Sequence, residues 1–573
     1  MRRPGRRFVL IYAGLALLRI LIAFTSTSVI HPDEHFQNPE IAAGAVFEYG
    51  GGIRGDGPLR TWEWGGPTPA RSIVPVFGST GIAFWLVRTL WDSHPSVLVL
   101  FAAERGVMLL FSFFIDWLLW RTSSSHQPTL LLFATSPITF TFLLRPFSNS
   151  LETLCLALLL YLTYRAHPLP SVRTATIVGA VVAFGCFVRV TFVAFALPAC
   201  VHLLASTIRT GRSRYIVARI LASMTFGAIV TTALCVYVDS WYFTSAETAD
   251  ARPTWPILTP LNLLRYNLSP DNLKDHGLHP RYLHLLVNWP MLFGVGIVAV
   301  VSAATSARRQ RQARKVRFQD IPMPLYLAAL VLPTLVLSIQ PHQEPRFLIP
   351  LLGPLVLLAG RSPLVSAENG PSKRRRTFWG LWLTHSALFT LFFGYLHQGG
   401  LLPTLFELNA HLRSGTAGDL GALRQVDLVF WRTFMPPRHL LLPLSSGEQP
   451  HPIVHVTDLA GAEQRKLFQT LAQLTSDAPP SSAAVAALRR CVLLIAPAYS
   501  PGLAELACPV EQQTASVETM QRSVCIQPLW PHKPTFGVHV DMDRLDDLVR
   551  GGFSVRGVGV WEVKAVGGDE GPS

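Results

Sequence analysis

Long apolar runs separated by short polar breaks fill the chain up to about residue 396, and beyond that point the apolar runs shrink to a few residues each. About twenty apolar residues cross a bilayer as a helix, and residues 8–30 meet that length. From 31 to about 96 the pattern changes to a stretch rich in Gly, Trp and Pro. Its apolar piece, 74–91, is interrupted by Gly78 and Gly81, which predicts helices lying in or on the interface rather than crossing. Spans are then predicted at 97–120, 129–144, 151–164, 220–237, 285–306, 325–339, 347–358 and 379–396. The run 175–205 is too long for one pass and is broken by Arg189, so two short, broken helices are expected there. The expected total is about eleven crossings.

After residue 396 the short runs 428–430, 452–456, 491–496 and 536–540 alternate with Pro- and Gly-containing turns. That pattern predicts a small mixed α/β domain over about 415–566, with 567–573 a frayed end. The expected fold class is an all-α polytopic membrane protein with a small C-terminal α/β domain. Its expected parts are a first transmembrane helix (1–30), a loop with interfacial helices (31–96), a transmembrane bundle (97–397) and the C-terminal domain (398–573).

Composition agrees with that pattern: of 573 residues half are hydrophobic and only 15% are charged, and the mean hydropathy is +0.34. A net charge of +14 would suit nucleic acid if it covered a soluble face, but the basic residues cluster. They form four groups: Arg2, Arg3, Arg6 and Arg7; Arg209, Arg212, Arg214 and Arg219; Arg308, Arg309, Arg311, Arg314, Lys315 and Arg317; and Arg361 with Lys373, Arg374, Arg375 and Arg376. Each abuts an apolar run, the signature of cytoplasmic loops. No nucleic acid is expected as a partner. With a cytoplasmic N-terminus and an odd number of crossings, the loops at 209–219, 308–317 and 361–376 fall inside and the C-terminal domain falls outside. Counting 74–91 as a span would put all three loops on the wrong side. The first run is longer than a signal-peptide core and lacks a clear cleavage site, so a retained helix is expected.

Seven cysteines form no metal-spaced cluster. Cys155, Cys186, Cys200 and Cys235 sit in apolar runs as small buried residues. Cys491, Cys508 and Cys525 lie in the tail, where two of the three can pair, and the spacing leaves the pair open.

Candidate chemistry starts where the first span ends, at His31-Pro32-Asp33-Glu34-His35-Phe36-Gln37. Pro32 with two acids after it also suits an ordinary helix start, but that leaves the two histidines and the membrane-edge position unexplained. A neighbouring carboxylate and partial burial raise a carboxyl's proton affinity, which makes a base able to take a proton from a sugar hydroxyl. His342, Glu344 and Arg346 lie in a tight turn between two apolar runs expected on the same side. There the arginine can clamp a phosphate through two hydrogen bonds; a snorkelling arginine paired with Glu344 is the plainer account. The corner Arg145-Pro146-Phe147-Ser148-Asn149-Ser150-Leu151-Glu152 and the run 275–282, with His279 and Arg281, carry groups suited to sugars and phosphates and equally to capping and anchoring. Trp62, Trp64 and Tyr242 read as interfacial aromatics. The sequon Asn267-Leu268-Ser269 is weakened by Pro270. His31, His35 and Asp33 offer metal ligands, but no further ligand spacing supports them. Gly-rich phosphate loops, G-x-S-x-G and H-E-x-x-H do not occur, so nucleotide use and hydrolase chemistry have no motif support.

The stretches His31–Gln37, Thr61–Trp64, Ala70–Ser72, Phe147–Glu152, His276–Tyr282 and His342–Leu348 together resemble the GT-C glycosyltransferases that build lipid-linked glycans. More narrowly the chain is similar to glycosyltransferase family 22, the dolichyl-phosphate-mannose-dependent mannosyltransferases of GPI-anchor and N-glycan precursor assembly. His35 and Phe36 after the acidic pair, Phe430–Pro437 and Trp530–His532 resemble the branch adding the fourth, side-branching mannose to GPI. That resemblance implies a GT-C fold in the endoplasmic reticulum membrane, with the first loop and the C-terminal domain lumenal. It also implies an inverting transfer from dolichyl phosphate mannose to a GPI precursor, with no cofactor and no metal required. Asp33 is then cast as the base, with Glu34 orienting it. His342 and Arg346 stabilise the departing phosphate, and His31, Glu344, Arg71, Arg145, His279 and Arg281 are further candidates for binding substrate. The alternatives are the same chemistry on the third GPI mannose or an N-glycan precursor, a polytopic lipid or sugar transporter, and a non-catalytic subunit. No internal repeat supports a transporter.

Overall fold

The structure is a computed structural model of the chain. It describes residues 5–47, 59–92, 94–166, 169–210, 213–245, 255–269, 272, 277, 279–312, 323–366, 372–414, 420, 423, 425–441, 452–476, 490–508, 524–551 and 556–565. Arg2, Arg3, Arg212, Arg314, Lys315, Arg317, Pro270, His276 and the tail 567–573 lie outside the described residues.

Among the described residues, five helices are long and apolar enough to cross a membrane: Arg6–Thr25, Ile73–Leu90, Val97–Thr122, Phe192–Arg209 and Arg214–Thr244. Two bent pairs also qualify, His126–Ala134 with Pro137–Leu144 (52°) and His284–Phe293 with Gly296–Arg309 (98°). Val172–Val188, Met323–Ile339 and Pro345–Ala359 are apolar but shorter. The chain is therefore a multi-pass membrane protein. The predicted interruption of 74–91 does not occur. Gly78 and Gly81 sit in a wider π turn, Phe77–Gly81, and the helix continues through it. The Ser79 hydroxyl donates to the carbonyl of Pro75 at 2.7 Å inside that turn. The segment is one continuous element, Ile73–Leu90, long and apolar enough to cross a membrane. The break predicted at Arg189 is present: its backbone is extended between helices Val172–Val188 and Phe192–Arg209.

The described chain forms two compact units. One gathers Met1–Phe24, Arg60–Ala83 and Glu104–Thr390, the other Thr25–Leu59, Phe84–Ala103 and Leu391–Ser573. The stretch 31–96, expected as one loop, is thus divided, because its first part packs with the C-terminal region and its middle with the helices.

In the first unit, helices Val172–Val188 and Arg214–Ser245 run closely along one another. A Cβ at Gly179 would overlap the carbonyl of Met224, and one at Gly227 the carbonyl of Thr176, so reciprocal glycines set the approach. Arg19 is fully buried and pairs with Asp116 at 2.7 Å, and Asp116 also accepts from the Tyr12 hydroxyl at 2.7 Å. A charge at that depth is tolerable because it is paired.

The second unit is built on a five-stranded sheet of order β2-β1-β3-β5-β4: β1 Gln425–Phe430, β2 Ile453–Asp458, β3 Arg490–Pro497, β4 Val524–Pro528 and β5 Val558–Ala565. The first three pair in parallel and the last two are antiparallel. On one face Val429, Val492, Leu494, Ile526 and Val563 pack with Leu467 and Leu471 from the helix Gln464–Ser476. On the other, Leu428, Leu493 and Ile495 are buried as well, which is why these strands read as continuous apolar runs. The run 536–540 is not a strand. Gly537 takes φ +61° and leaves only isolated bridges, Phe536 to Val558 and Val540 to His397. Cys508 pairs with Cys525, and Cys491 is free.

Candidate active site

Pro32 opens a single helical turn, Asp33–Phe36, and that turn sends its two carboxylates to different surroundings. Asp33 is a quarter exposed; it lies 3.5 Å from the Nδ1 of His31 and accepts a hydrogen bond from the amide of Gln37. The Asp33 N–H donates to the same His31 nitrogen at 3.2 Å. Glu34 is fully buried, 3.1 Å from the Nε2 of His35, and accepts from the N–H of Ile30 at 3.4 Å. The two imidazoles are therefore taken by different carboxylates, and the metal set His31, His35 and Asp33 considered from sequence is not drawn together by these contacts.

In the same unit lies a pair that sequence reading missed. Glu40 accepts from His439 through Nδ1 at 2.8 Å and through its N–H at 3.1 Å, and from the N–H of Leu59 at 3.0 Å. Burial alone would raise the Glu40 carboxyl. The His439 imidazole and the backbone donors outweigh it and hold the group below the ordinary carboxylate value. The His35 and His439 rings lie 5.8 Å apart, so the pair buttresses the turn that carries Asp33.

The first unit holds a cluster of basic residues. The 3₁₀ turn Trp62–Trp64 places Glu63 so that its carbonyl accepts the N–H of Ala70 and its carboxylate meets Arg71 at 2.8–2.9 Å. Arg71 and Arg189 both donate to the hydroxyl of Ser148, at 3.5 and 3.1 Å. Arg189 stands 3.6 Å from Glu152, which also accepts from Thr191 at 3.0 Å and from the Asn149 amide at 3.4 Å. Arg346 pairs with Glu344, and His342 bonds the same carboxylate at 2.8 Å. The guanidinium groups of Arg189 and Arg346 lie 4.9 and 5.6 Å from one ring, that of Phe347. Arg189 is acted on electrostatically by both Arg71 and Arg346. Three arginines on separate elements thus converge, each with its own glutamate.

Of the remaining candidates, Arg145 is fully buried and donates to the carbonyl of Thr141 at 3.0 Å, holding the corner before Phe147. The N–H of His279 donates to the carbonyl of Pro341 at 2.8 Å, and its ring lies 5.9 Å from that of His342. Arg281 contributes its carbonyl to the Gln343 amide, while its side chain is exposed. Gln343 itself accepts from the N–H of His284 at 2.9 Å and donates to Ser338 and Gln340, which fixes the turn bearing His342 and Glu344. Arg189 had no assigned role from sequence, and Ser148 entered only as part of the corner 145–152. The available signal was a charge interrupting an apolar run, which marks either a pathway or a site.

The family model of the Alg9-like mannosyltransferase family matches residues 10–443. GPI alpha-1,2-mannosyltransferase 4 of Homo sapiens is 33% identical, over 81% of this chain and 81% of that one. GPI mannosyltransferase 4 of Emericella nidulans is 30% identical, over 96% of this chain and 97% of that one. Among solved structures, ArnT from Cupriavidus metallidurans bound to undecaprenyl phosphate matches with a TM-score of 0.46 and 11% identity, over 87% of this chain and 94% of that one, a likeness too low to assign a fold.

Proposed function

Because the chain belongs to the Alg9-like mannosyltransferase family and is a mannosyltransferase of GPI-anchor synthesis, we propose that it adds the fourth mannose to the GPI precursor. The donor in this reading is dolichyl phosphate mannose, used on the lumenal face of the endoplasmic reticulum membrane by a GT-C-type enzyme. The observation that carries it is the meeting of Arg71 and Arg189 on Ser148, with Arg346 sharing the Phe347 ring. Guanidinium groups held in fixed orientations suit a phosphate whose charge grows as it leaves. Their rigid forks also separate this arrangement from a set of mobile surface charges.

In the displacement, a hydroxyl of the acceptor mannose attacks C1 of the donor sugar. Asp33, the more accessible of the two acids, takes the hydroxyl proton; general base catalysis of this kind contributes about 10²–10⁴-fold. The bond from C1 to the phosphate oxygen breaks on the opposite face, so the new linkage inverts the donor's configuration. The electron pair leaves with dolichyl phosphate, where Arg71, Arg189 and Arg346 meet the charge and His342, bonded to Glu344, adds a donor. Buried Glu34 sets the turn on which Asp33 stands.

Membranes holding the full chain, labelled dolichyl phosphate mannose and a trimannosyl GPI precursor test this reading, with wild type compared against Asp33→Asn at equal protein level. Tetramannosyl product from the wild type alone is expected. Equal product from both would remove Asp33 from its role. Product only with a dimannosyl GPI or N-glycan precursor would move the acceptor, and no transfer from this lipid donor would overturn the donor assignment.

A further inference from the structure

Asp239 belongs to no motif singled out in the sequence, yet it joins three elements of the first unit. It lies near the C-terminal end of the helix Arg214–Ser245 and is fully buried. One carboxylate oxygen accepts from the hydroxyl of Ser72 at 2.9 Å and from the N–H of Ile73 at 3.0 Å. The other accepts from the hydroxyl of Thr259 at 2.8 Å. The next residue, Ser240, accepts from the N–H of Ile257 at 2.9 Å. The Asn262 side chain then closes the junction by donating to the carbonyl of Pro69 at 2.9 Å.

Ser72 and Ile73 directly follow Arg71, and Ser72 is also the N-cap of the next helix, accepting from the N–H of Val74 at 3.2 Å. Glu63 holds the Arg71 guanidinium from one side while Asp239 pins the backbone that follows it from the other. A carboxylate suits this junction because it accepts on both oxygens, whereas an amide keeps only one acceptor atom. Asp239 is separated by 167 residues from Ser72, so local chain geometry does not account for the contact.

We infer that Asp239 is a positioning residue for the donor-phosphate site, acting through Arg71 without touching substrate. This rests on the reading of Arg71 as a phosphate ligand. Small displacements of a positioned group cost catalysis heavily; about 1 Å can cost 10²-fold.

The test uses the full chain in membranes and measures transfer from dolichyl phosphate mannose with Asp239→Ala and Asp239→Asn. Asp239→Ala is expected to lower kcat/KM for the donor by about tenfold or more, chiefly through kcat, because Arg71 meets charge that grows as the phosphate leaves. Asp239→Asn, which keeps the oxygen facing Ser72 and Ile73, is expected to recover most of the loss. In an Arg71→Ala background, adding Asp239→Ala is expected to cost less than about twofold, because residues acting as one unit are not additive. Full additivity, or an unchanged kcat/KM, would overturn the inference. A second measurement does not depend on the donor. Arg71→Cys, labelled with a maleimide, should react several-fold faster once Asp239→Ala is added; equal rates would overturn the positioning role. Failure of the wild type to use this donor would instead overturn the function reading, and the labelling rates would still decide on Asp239.

Discussion

In the second unit the segment 31–40 keeps one carboxylate accessible and buries two others. Asp33 is a quarter exposed, Glu34 lies against His35, and Glu40 is clamped by His439. The arginine cluster of the first unit is arranged differently: Arg71 stands with Glu63, Arg189 with Glu152 and Arg346 with Glu344, so every cation already has an anion beside it. A base needs an oxygen that a substrate proton can reach, with the other acids kept as scaffold. A site for a leaving phosphate needs donors that do not move, and the paired glutamates supply that at the cost of the cluster's net charge. Attraction in the first unit therefore rests on directed N–H groups more than on excess positive charge.

The sharpest way to break that comparison is to keep the charge and remove the fork. Arg346→Ala is expected to lower kcat/KM by about 10²-fold or more, in line with the loss of a preorganised donor. Arg346→Lys is expected to regain little of it, because a point charge does not replace two parallel N–H bonds. Steady-state kinetics on membranes measures both. Full recovery by lysine would mean that net charge, not geometry, governs the site.

Glu40→Gln probes the buried side of the acidic segment. Removing one partner of a buried pair costs about 3 kcal/mol, so thermal unfolding of the detergent-solubilised chain should shift down, while kcat/KM well below the transition stays within a few-fold. Loss of turnover at unchanged stability would make Glu40 part of the chemistry and erase the division between accessible and scaffold acids.

The smallest effect is a pH slope. His539 is fully buried, and burial first, with His397 second, pushes its proton affinity down to about 3 from the ordinary 6.5. The folded chain then binds fewer protons than the unfolded one between those values. Stability from this group is complete above 6.5 and is lost as pH falls toward 3, by up to about 1.4 kcal/mol per pH unit. The Glu40 contribution has the same sign and fades only below its ordinary value of 4.5. Melting curves at pH 7 and pH 5 should show a drop that His539→Leu reduces; an unchanged drop would place the acid sensitivity elsewhere.

Several features were legible without coordinates. The helical runs, the break at Arg189 and the short apolar strands around 428–430, 452–456 and 491–496 follow from apolar length and spacing, which local chain physics dictates. The strands β4 and β5 escaped because Val524–Pro528 is short and Val558–Ala565 carries Gly559, Glu562 and Lys564. The run 536–540 misled because periodicity does not register Gly537 in a left-handed conformation.

The sequence alone determined the membrane character, the acidic turn past the first apolar run and the motif residues Asp33, Glu34, His342, Glu344 and Arg346, since these depend on residue type and near-neighbour order. Only the tertiary structure decided that Arg189 joins Arg71 at Ser148, that Glu40 meets His439, that Cys508 pairs with Cys525, and that Asp239 holds Ser72. Those contacts join residues between 17 and 399 positions apart. At such separations residue type states what a side chain can bond, and only the packing of helices and strands states which partner comes within reach.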